Sequence, residues 1–459
     1  MEARSTCADS ITFRRQKIAS CLKKDERVLT LANLGLLGSS RMKLDYKALI
    51  TDKQRYQDMI SRIPERVKTA SNDYGHKLDS RSVSSDCEEH STTRDDMIHG
   101  WGGCGLQVTF SANNLQQVCR LHDQLVPLGP LMLALSAATP LRKGRLVATD
   151  TRWEAMCRAG DDRKPSEIPD IHPRLGCTPM YLEESASARR LNDQTMKSID
   201  GLGPDLRSHG VPPSLAVYLS HVLNRDPLID APHISDGDDT STSAQSSRVD
   251  LMNLHMSTWW PHVRLKLPVV STFDKSLPWR VEFRPMDAQP SDMENASLVV
   301  AMRILQQTIE HFDLDLRIPI SAVEENMNRA NARAAATDQV FRFAAKIGHS
   351  TSAPAYAFDG WASLDTIFNG GDNGAGVKWL GLLPLAHDYL VQRGIPELPD
   401  NEQERISGGL ELLSARASGG VQTPAKWMRS FISKHSHSDS ADDEISAQAY
   451  YAMIMALSP

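Results

Sequence analysis

Apolar and polar residues alternate at period two in GLQVTF (Gly105 to Phe110) and, strictly, in WRVEFRP (Trp279 to Pro285). That is the spacing of a half-buried strand. VRLKLPVV (Val263 to Val270), GRLVATDTRW (Gly144 to Trp153) and the apolar run VLTLANLGLLG (Val28 to Gly38) read as further strands. A charged, helix-like stretch runs from Glu2 to about Val28. Helical spacing extends from about Asn114 to Ala137, interrupted around Pro127 to Pro130. Two capping boxes, Ser291 with Glu294 and Ser321 with Glu324, predict helices running to about Phe312 and about Ile347. Pro424, after Thr423, opens another. Strands early and helices late predict an α+β protein with an antiparallel or mixed sheet.

Three stretches carry almost no large apolar side chains: residues 71–96, 230–247 and 433–444. They are expected to be mobile surface insertions in one domain spanning 1–459. Overall the chain is 41% hydrophobic and 24% charged, which is ordinary for a globular protein. A net charge of −6 gives no reason to expect nucleic acid as a partner. No run approaches the roughly 18–20 apolar residues that cross a bilayer. The seven cysteines all fall at or before Cys177, with no CxxC spacing. That argues against a disulfide framework and a structural zinc site, so a reducing, cytoplasmic setting is expected.

The polar faces of the strands are where chemistry is expected. Alternation groups Gln107 with Thr109, Asp150 with Arg152, Arg264 with Lys266, and Arg280, Glu282 and Arg284. If the apolar alternates pack under helices, these groups line one concave surface suited to anions. Guanidinium groups clamp carboxylates or phosphates with paired hydrogen bonds, and a Glu among cations can hold a divalent metal bridging phosphate oxygens. No GxxxxGK[ST] or HExxH occurs. The glycines of HGWGGCG (His99 to Gly105) do not open an obvious helix and instead suit a close approach of backbone to a ligand. Cys104 within it is expected to be buried and inert, and His221 to be a satisfied helix histidine.

Several segments together resemble the eukaryotic type of glutamate–cysteine ligase catalytic subunit. They are GLQVTF, LALSAATP (Leu133 to Pro140), DTRW (Asp150 to Trp153), DDRK (Asp161 to Lys164), HVLNRDPL (His221 to Leu228), WRVEFRPMDAQ, ENMNRA (Glu325 to Ala330), LDTIFNG (Leu364 to Gly370) and RASGGVQTPAKWMRSFI (Arg416 to Ile432). The resemblance implies a glutamine-synthetase-like fold, a curved, mainly antiparallel sheet forming a funnel surrounded by helices. It implies that ATP phosphorylates the γ-carboxylate of L-glutamate and that the amine of L-cysteine attacks the acyl phosphate, with Mg2+ on the phosphates. By motif, Glu282 and Gln107 match metal-binding positions. Arg152 and Arg284 match arginines that hold the substrate carboxylate and the nucleotide side, and Trp260 a tryptophan near the cysteine pocket. Arg264, Lys266 and Arg225 are nucleotide-phosphate candidates, with Arg280 in support. A modifier subunit or a second copy of the chain is an expected partner.

The sequence also departs from that pattern. The family's upstream segment, which supplies several magnesium-binding carboxylates, has no counterpart here, so an N-terminally incomplete chain is expected. Gly105 stands where the family has a cysteine, and a family motif of the form SRYDSIDSY has no good match near PRLGCTPMYLEES (Pro173 to Ser185). Two other readings therefore stay open: a non-catalytic or regulatory binding protein on the ligase scaffold, and a ligase with a different amine acceptor.

Overall fold

The computed structural model describes residues 2–23, 30–33, 35–37, 39, 53–73, 99–164, 166–168, 170–197, 201–229, 252–268, 277–347, 357–372, 378–394, 400–435 and 444–457. Helices and antiparallel strands are mixed along it. The central element is a three-stranded antiparallel sheet of β1 (Val108–Ala112), β2 (Val263–Lys266) and β3 (Trp279–Phe283), with β3 in the middle. Val108, Phe110 and Ala112 face the core with Val263, Leu265, Val281 and Phe283, all buried. Helix α1 (Leu115–Leu125), capped by the Asn114 side chain accepting from the Gln117 amide at 2.9 Å, packs against all three strands. The expected break then separates it from α2 (Leu128–Leu135), which is wholly buried.

Period-two alternation was informative because burial on one face of this sheet enforces it. Other expectations are corrected. Gly144 to Trp153 is not one strand. Lys143 and Gly144, at φ 48° and 79°, turn the chain so that Leu141–Arg142 pairs with Arg145–Leu146 only. Asp150 then donates its amide to the Asn331 carbonyl at 3.0 Å, and helix α3 (Trp153–Ala159) begins. The described residues of the Val28–Gly38 segment form turns and irregular backbone instead of a strand.

Helix α4 (Asp292–His311) matches the expected span from Ser291 to Phe312, although the Ser291 side chain makes no capping hydrogen bond. The next helix, α5 (Ile320–Asn331), starts after Pro319, and the Ser321 hydroxyl turns to Asp193 instead of capping. It also ends far short of Ile347. Ala332 ends it in extended backbone, at φ −61° and ψ 158°, and within the helix Asn326 pairs with the Arg342 backbone, accepting from its N–H at 2.9 Å and donating to its carbonyl at 2.7 Å. Residues 340–347 instead form β5 (Val340–Ile347) between β4 (Leu314–Asp315) and β6 (Ala357–Ser363) in a second antiparallel sheet. Phe341, Phe343 and Ala345 point inward at period two, so strands are not confined to the early chain.

Helix α6 (Asp400–Ala417) packs on α4, and α7 (Pro424–His435) starts at the expected proline. Of the three expected insertions, residues 71–73 close a helix spanning Gln54–Asp73, and 433–435 end α7. Residues 74–96, 230–247 and 436–443 lie outside the described residues. Among the described residues no helix is long and apolar enough to cross a membrane.

Candidate functional site

The register of the first sheet places Thr109, Glu282 and Arg264 abreast, and Ser111, Arg280 and Lys266 abreast in the next polar row. Three of the four expected polar faces therefore share one surface. At its centre Glu282 is nearly buried. Its Oε1 accepts from Lys266 Nζ at 2.6 Å, while Arg264 Nη1 and Arg284 Nε lie 3.5 and 3.7 Å from Oε2. Burial works to raise the carboxyl, but the Lys266 hydrogen bond and the charges of Arg264, Lys266 and Arg284 outweigh it and hold it below the usual carboxylate range. The group is an anion serving three cations, and the excess charge is positive.

Arg284 leaves the end of β3, and its Nη1 donates to the Trp260 carbonyl at 2.8 Å and to the Pro261 carbonyl at 3.3 Å. Burial, with Arg264 beside it, pulls the guanidinium down to about 10. Trp260 is half-buried and meets Trp101 edge-on, with centroids 5.9 Å apart. Arg280 turns along the strand to the Leu267 and Pro278 carbonyls instead of towards Glu282. Gln107 is exposed on the approach to β1. Among the described residues no three His, Cys, Asp or Glu side chains come together as a metal site.

Arg152 is committed elsewhere. Its Nη1 donates to the carbonyls of Pro285 and Met286 and to Asp287 Oδ1, at 2.7, 2.9 and 2.7 Å, and its Nη2 to the Arg284 carbonyl at 2.8 Å. The glycines of HGWGGCG make room for it: a Cβ on Gly105 would stand 2.2 Å from Arg152 Nη2, and one on Gly103 2.9 Å from Arg152 Cβ. Those glycines thus allow close approach to a side chain of this chain. Arg225 is also apart from the sheet cluster. It donates to Asp162, shared with Arg174, and to the His172 carbonyl at 2.9 Å.

Sequence reasoning missed Asp287, whose buried carboxylate joins several of the quoted segments. It accepts from the Ala138 amide at 3.0 Å, the Thr139 hydroxyl at 2.9 Å and Arg152. Gln289 reaches the Ser136 carbonyl, and Arg416 reaches Gln289 and the Leu135 carbonyl. Asp150 accepts from Arg429 Nε at 2.6 Å and from the Ala334 amide at 2.8 Å. LALSAATP, DTRW, MDAQ and RASGGVQTPAKWMRSFI therefore build one polar support beneath Arg284. A carboxylate four residues beyond the end of β3, beside Met286 and Ala288, was the available signal.

His221 is buried in a helix spanning Pro213–Leu223, with Nδ1 2.6 Å from the Lys197 carbonyl and its ring edge-on to Trp259, but its Nε2 is buried without a hydrogen-bond partner among the described residues, so the expected satisfied histidine is met at one ring nitrogen only. Cys104 is exposed, contrary to expectation, because it lies on the glycine-rich approach and not in the core. A cavity of about 230 Å³ opens beside α3, lined by Trp153, Cys157, His172, Leu175, Cys177 and Asn328 among others. Burial pushes the thiols of Cys157 and Cys177 well above their usual range, so neither is poised as a thiolate nucleophile.

The family model described as glutamate-cysteine ligase matches residues 52–458. A glutamate–cysteine ligase of Neurospora crassa is 32% identical over 396 residues, covering 74% of this chain and 52% of that protein. The catalytic subunits from Mus musculus and Homo sapiens are 32% and 31% identical, covering 74% and 79% of this chain and 54% and 57% of theirs. This chain thus spans about half the length of the curated relatives it matches. A solved Pup ligase in complex with ADP superposes at a TM-score of 0.33 with 12% identity, covering 96% of this chain and 72% of that one, a likeness too remote to bear on function.

Proposed function

Because this chain belongs to the glutamate–cysteine ligase family, we propose that it carries the anion-binding wall of an ATP-dependent ligase joining the γ-carboxylate of L-glutamate to the amine of L-cysteine, the step that opens glutathione synthesis. The observation that carries this reading is the convergence of Arg264, Lys266 and Arg284 on the single carboxylate of Glu282. In the reaction a glutamate oxygen attacks the terminal phosphorus of ATP and ADP leaves. The cysteine amine then attacks the acyl carbon, phosphate departs with the bonding pair, and an amide forms as the nitrogen loses a proton. Both steps concentrate negative charge, which preorganised cations in a water-poor site stabilise.

In this proposal Arg284, with Nη1 fixed on two carbonyls, presents the rest of its fork to a carboxylate. Lys266 and Arg264 face the phosphates, Arg280 supports the edge, and Trp260 with Trp101 walls the acceptor side. Arg152 acts by fixing the backbone of Arg284, and Arg225 by holding Asp162. Mg2+ would neutralise phosphate charge, but Glu282, Gln107 and their described neighbours do not fit it by themselves, since Glu282 is already shared by three cations. The remaining parts of the proposal are a single catalytic domain, a glutamine-synthetase-like funnel of which the β1–β3–β2 sheet is one wall, a cytosolic setting, and a modifier subunit or second copy as partner.

The test is ADP release dependent on both glutamate and cysteine, measured on this chain and on a version extended with upstream coding sequence. Absence of cysteine-dependent turnover in both refutes the ligase reading. The full engagement of Arg152 with backbone and Asp287 favours a second reading, a ligase-like protein that binds anions without turnover. Glutamate or nucleotide binding by calorimetry without ADP release in the extended version would support it. Turnover with 2-aminobutyrate in preference to cysteine would instead identify a different acceptor.

A further inference from the structure

The helix spanning Gln54–Asp73 carries Arg55. Its Nη2 donates to the Ser257 carbonyl at 2.6 Å. Arg264 Nη2 donates to the carbonyl of the preceding residue, Met256. Two guanidinium groups from distant parts of the chain are thus anchored on adjacent carbonyls of one segment. Arg55 also acts on Arg264 as a like charge. The Nε–H groups of both arginines are buried with no hydrogen-bond partner. A buried N–H on a cation, left unpaired, costs more than a neutral one, and two such cations side by side repel. Among the described residues Glu282 is the one carboxylate serving Arg264, and Lys266 and Arg284 share it.

We propose that Arg55 and Arg264 form a two-guanidinium clamp for a phosphate group of the bound nucleotide, with Arg55 as a binding residue supplied by the helix of residues 54–73. The proposal rests on the ligase reading for the identity of the nucleotide, and on the geometry for the clamp itself. A phosphate suits the pair better than a carboxylate does: it offers three terminal oxygens and up to two charges to a cluster of Arg55, Arg264, Lys266 and Arg284 opposed by Glu282. Paired N–H donors from two arginines then reach oxygens that a single guanidinium cannot bridge. Neither strand periodicity nor a motif marks Arg55, because it acts from a helix with no charged partner in its own turn.

The clamp can be tested without turnover. Tripolyphosphate and, separately, L-glutamate are titrated calorimetrically into the chain and its R55A and R55K variants, with R189A at an exposed site as control. The expected result is tripolyphosphate affinity reduced about tenfold or more in R55A and less in R55K, unchanged in R189A, with glutamate affinity within about twofold of the starting chain throughout. Tripolyphosphate affinity in R55A within about twofold of the starting chain overturns the clamp. So does a loss confined to glutamate, or no binding of tripolyphosphate by the starting chain. If circular dichroism shows R55A to be unfolded, R55K decides by the same criterion, with a loss of about threefold expected. Loss of tripolyphosphate binding in R55A, together with no cysteine-dependent ADP release from either the unsubstituted chain or its extended version, would leave the clamp standing and remove the ligase reading. The reverse pattern would remove the clamp alone.

Discussion

Acidification should loosen the floor of the cationic cluster through His262. The ring is fully buried, and its partners fix its tautomer: Nε2–H donates to the Val126 carbonyl at 2.9 Å, and Nδ1 accepts from the Thr178 amide at 2.8 Å. Its main chain carries the strand contacts around it, donating to the Gly176 carbonyl and accepting from the Arg284 amide. A proton on Nδ1 would face an N–H donor. Burial is the main cause pulling this histidine down to about 3 from its usual 6.5. The folded chain therefore refuses a proton that the unfolded chain accepts below pH 6.5, so stability falls as pH drops through the window from 6.5 towards 3. From pH 6.5 to pH 5 is one and a half units, about 2 kcal/mol at 1.36 kcal/mol per unit. Urea midpoints at pH 7.5 and 5.0 for the native chain and His262→Asn give the check, since the amide keeps an acceptor for Thr178 and does not titrate. The variant starts less stable, and its deficit should shrink by about 2 kcal/mol at the lower pH. His172 and His221, each pulled down to about 4 chiefly by burial, steepen both curves and cancel in the difference. A deficit that stays constant across the two pH values would refute the reasoning.

Other substitutions test the support of the site. Asp287→Ala leaves Arg152, the Ala138 amide and the Thr139 hydroxyl without their buried acceptor, and should cost about 3–5 kcal/mol in urea unfolding. Gly105→Ala places a methyl against Arg152 Nη2 and should cost about 1.5–3 kcal/mol by displacing at least one charged hydrogen bond, a cost that vanishes in an Arg152→Met background. Arg284→Lys should reduce kcat/KM for glutamate at least about tenfold in a turnover-competent version, because an ammonium cannot hold Trp260 and Pro261 carbonyls and a carboxylate together; unchanged kinetics would remove Arg284 from the site.

WRVEFRP was legible because its two faces have opposite environments, one against α1 and one against other charges, so alternation survives in the sequence. The same logic found Arg264 and Lys266, whose neighbours in register are Glu282 and Arg280. It failed for Arg152 because that residue is placed by a turn and a buried carboxylate, neither of which leaves a periodic trace. VFRFAAKI reads as helix because its pattern follows a strong capping signal, and nothing periodic marks the extended backbone at Ala332 where the helix ends. Arg225 is a candidate mainly by its charge and its position in the chain, and neither distinguishes an arginine that meets a ligand from one that pairs with Asp162. Arg55 left no signal, since its role depends on which carbonyl its helix happens to approach.

Asp150 and Arg429 are joined across 279 residues, and the α7 amide of Ala425 donates to the Ala137 carbonyl. During synthesis the strands bearing Glu282 and Arg284 leave the ribosome long before α7 does. The sheet can pair early, but the loop that seats Arg152 gains its last anchor only after Arg429 has been made. The charged face is then formed before its foundation is locked, and for that interval it is a cation-rich surface with a yielding floor.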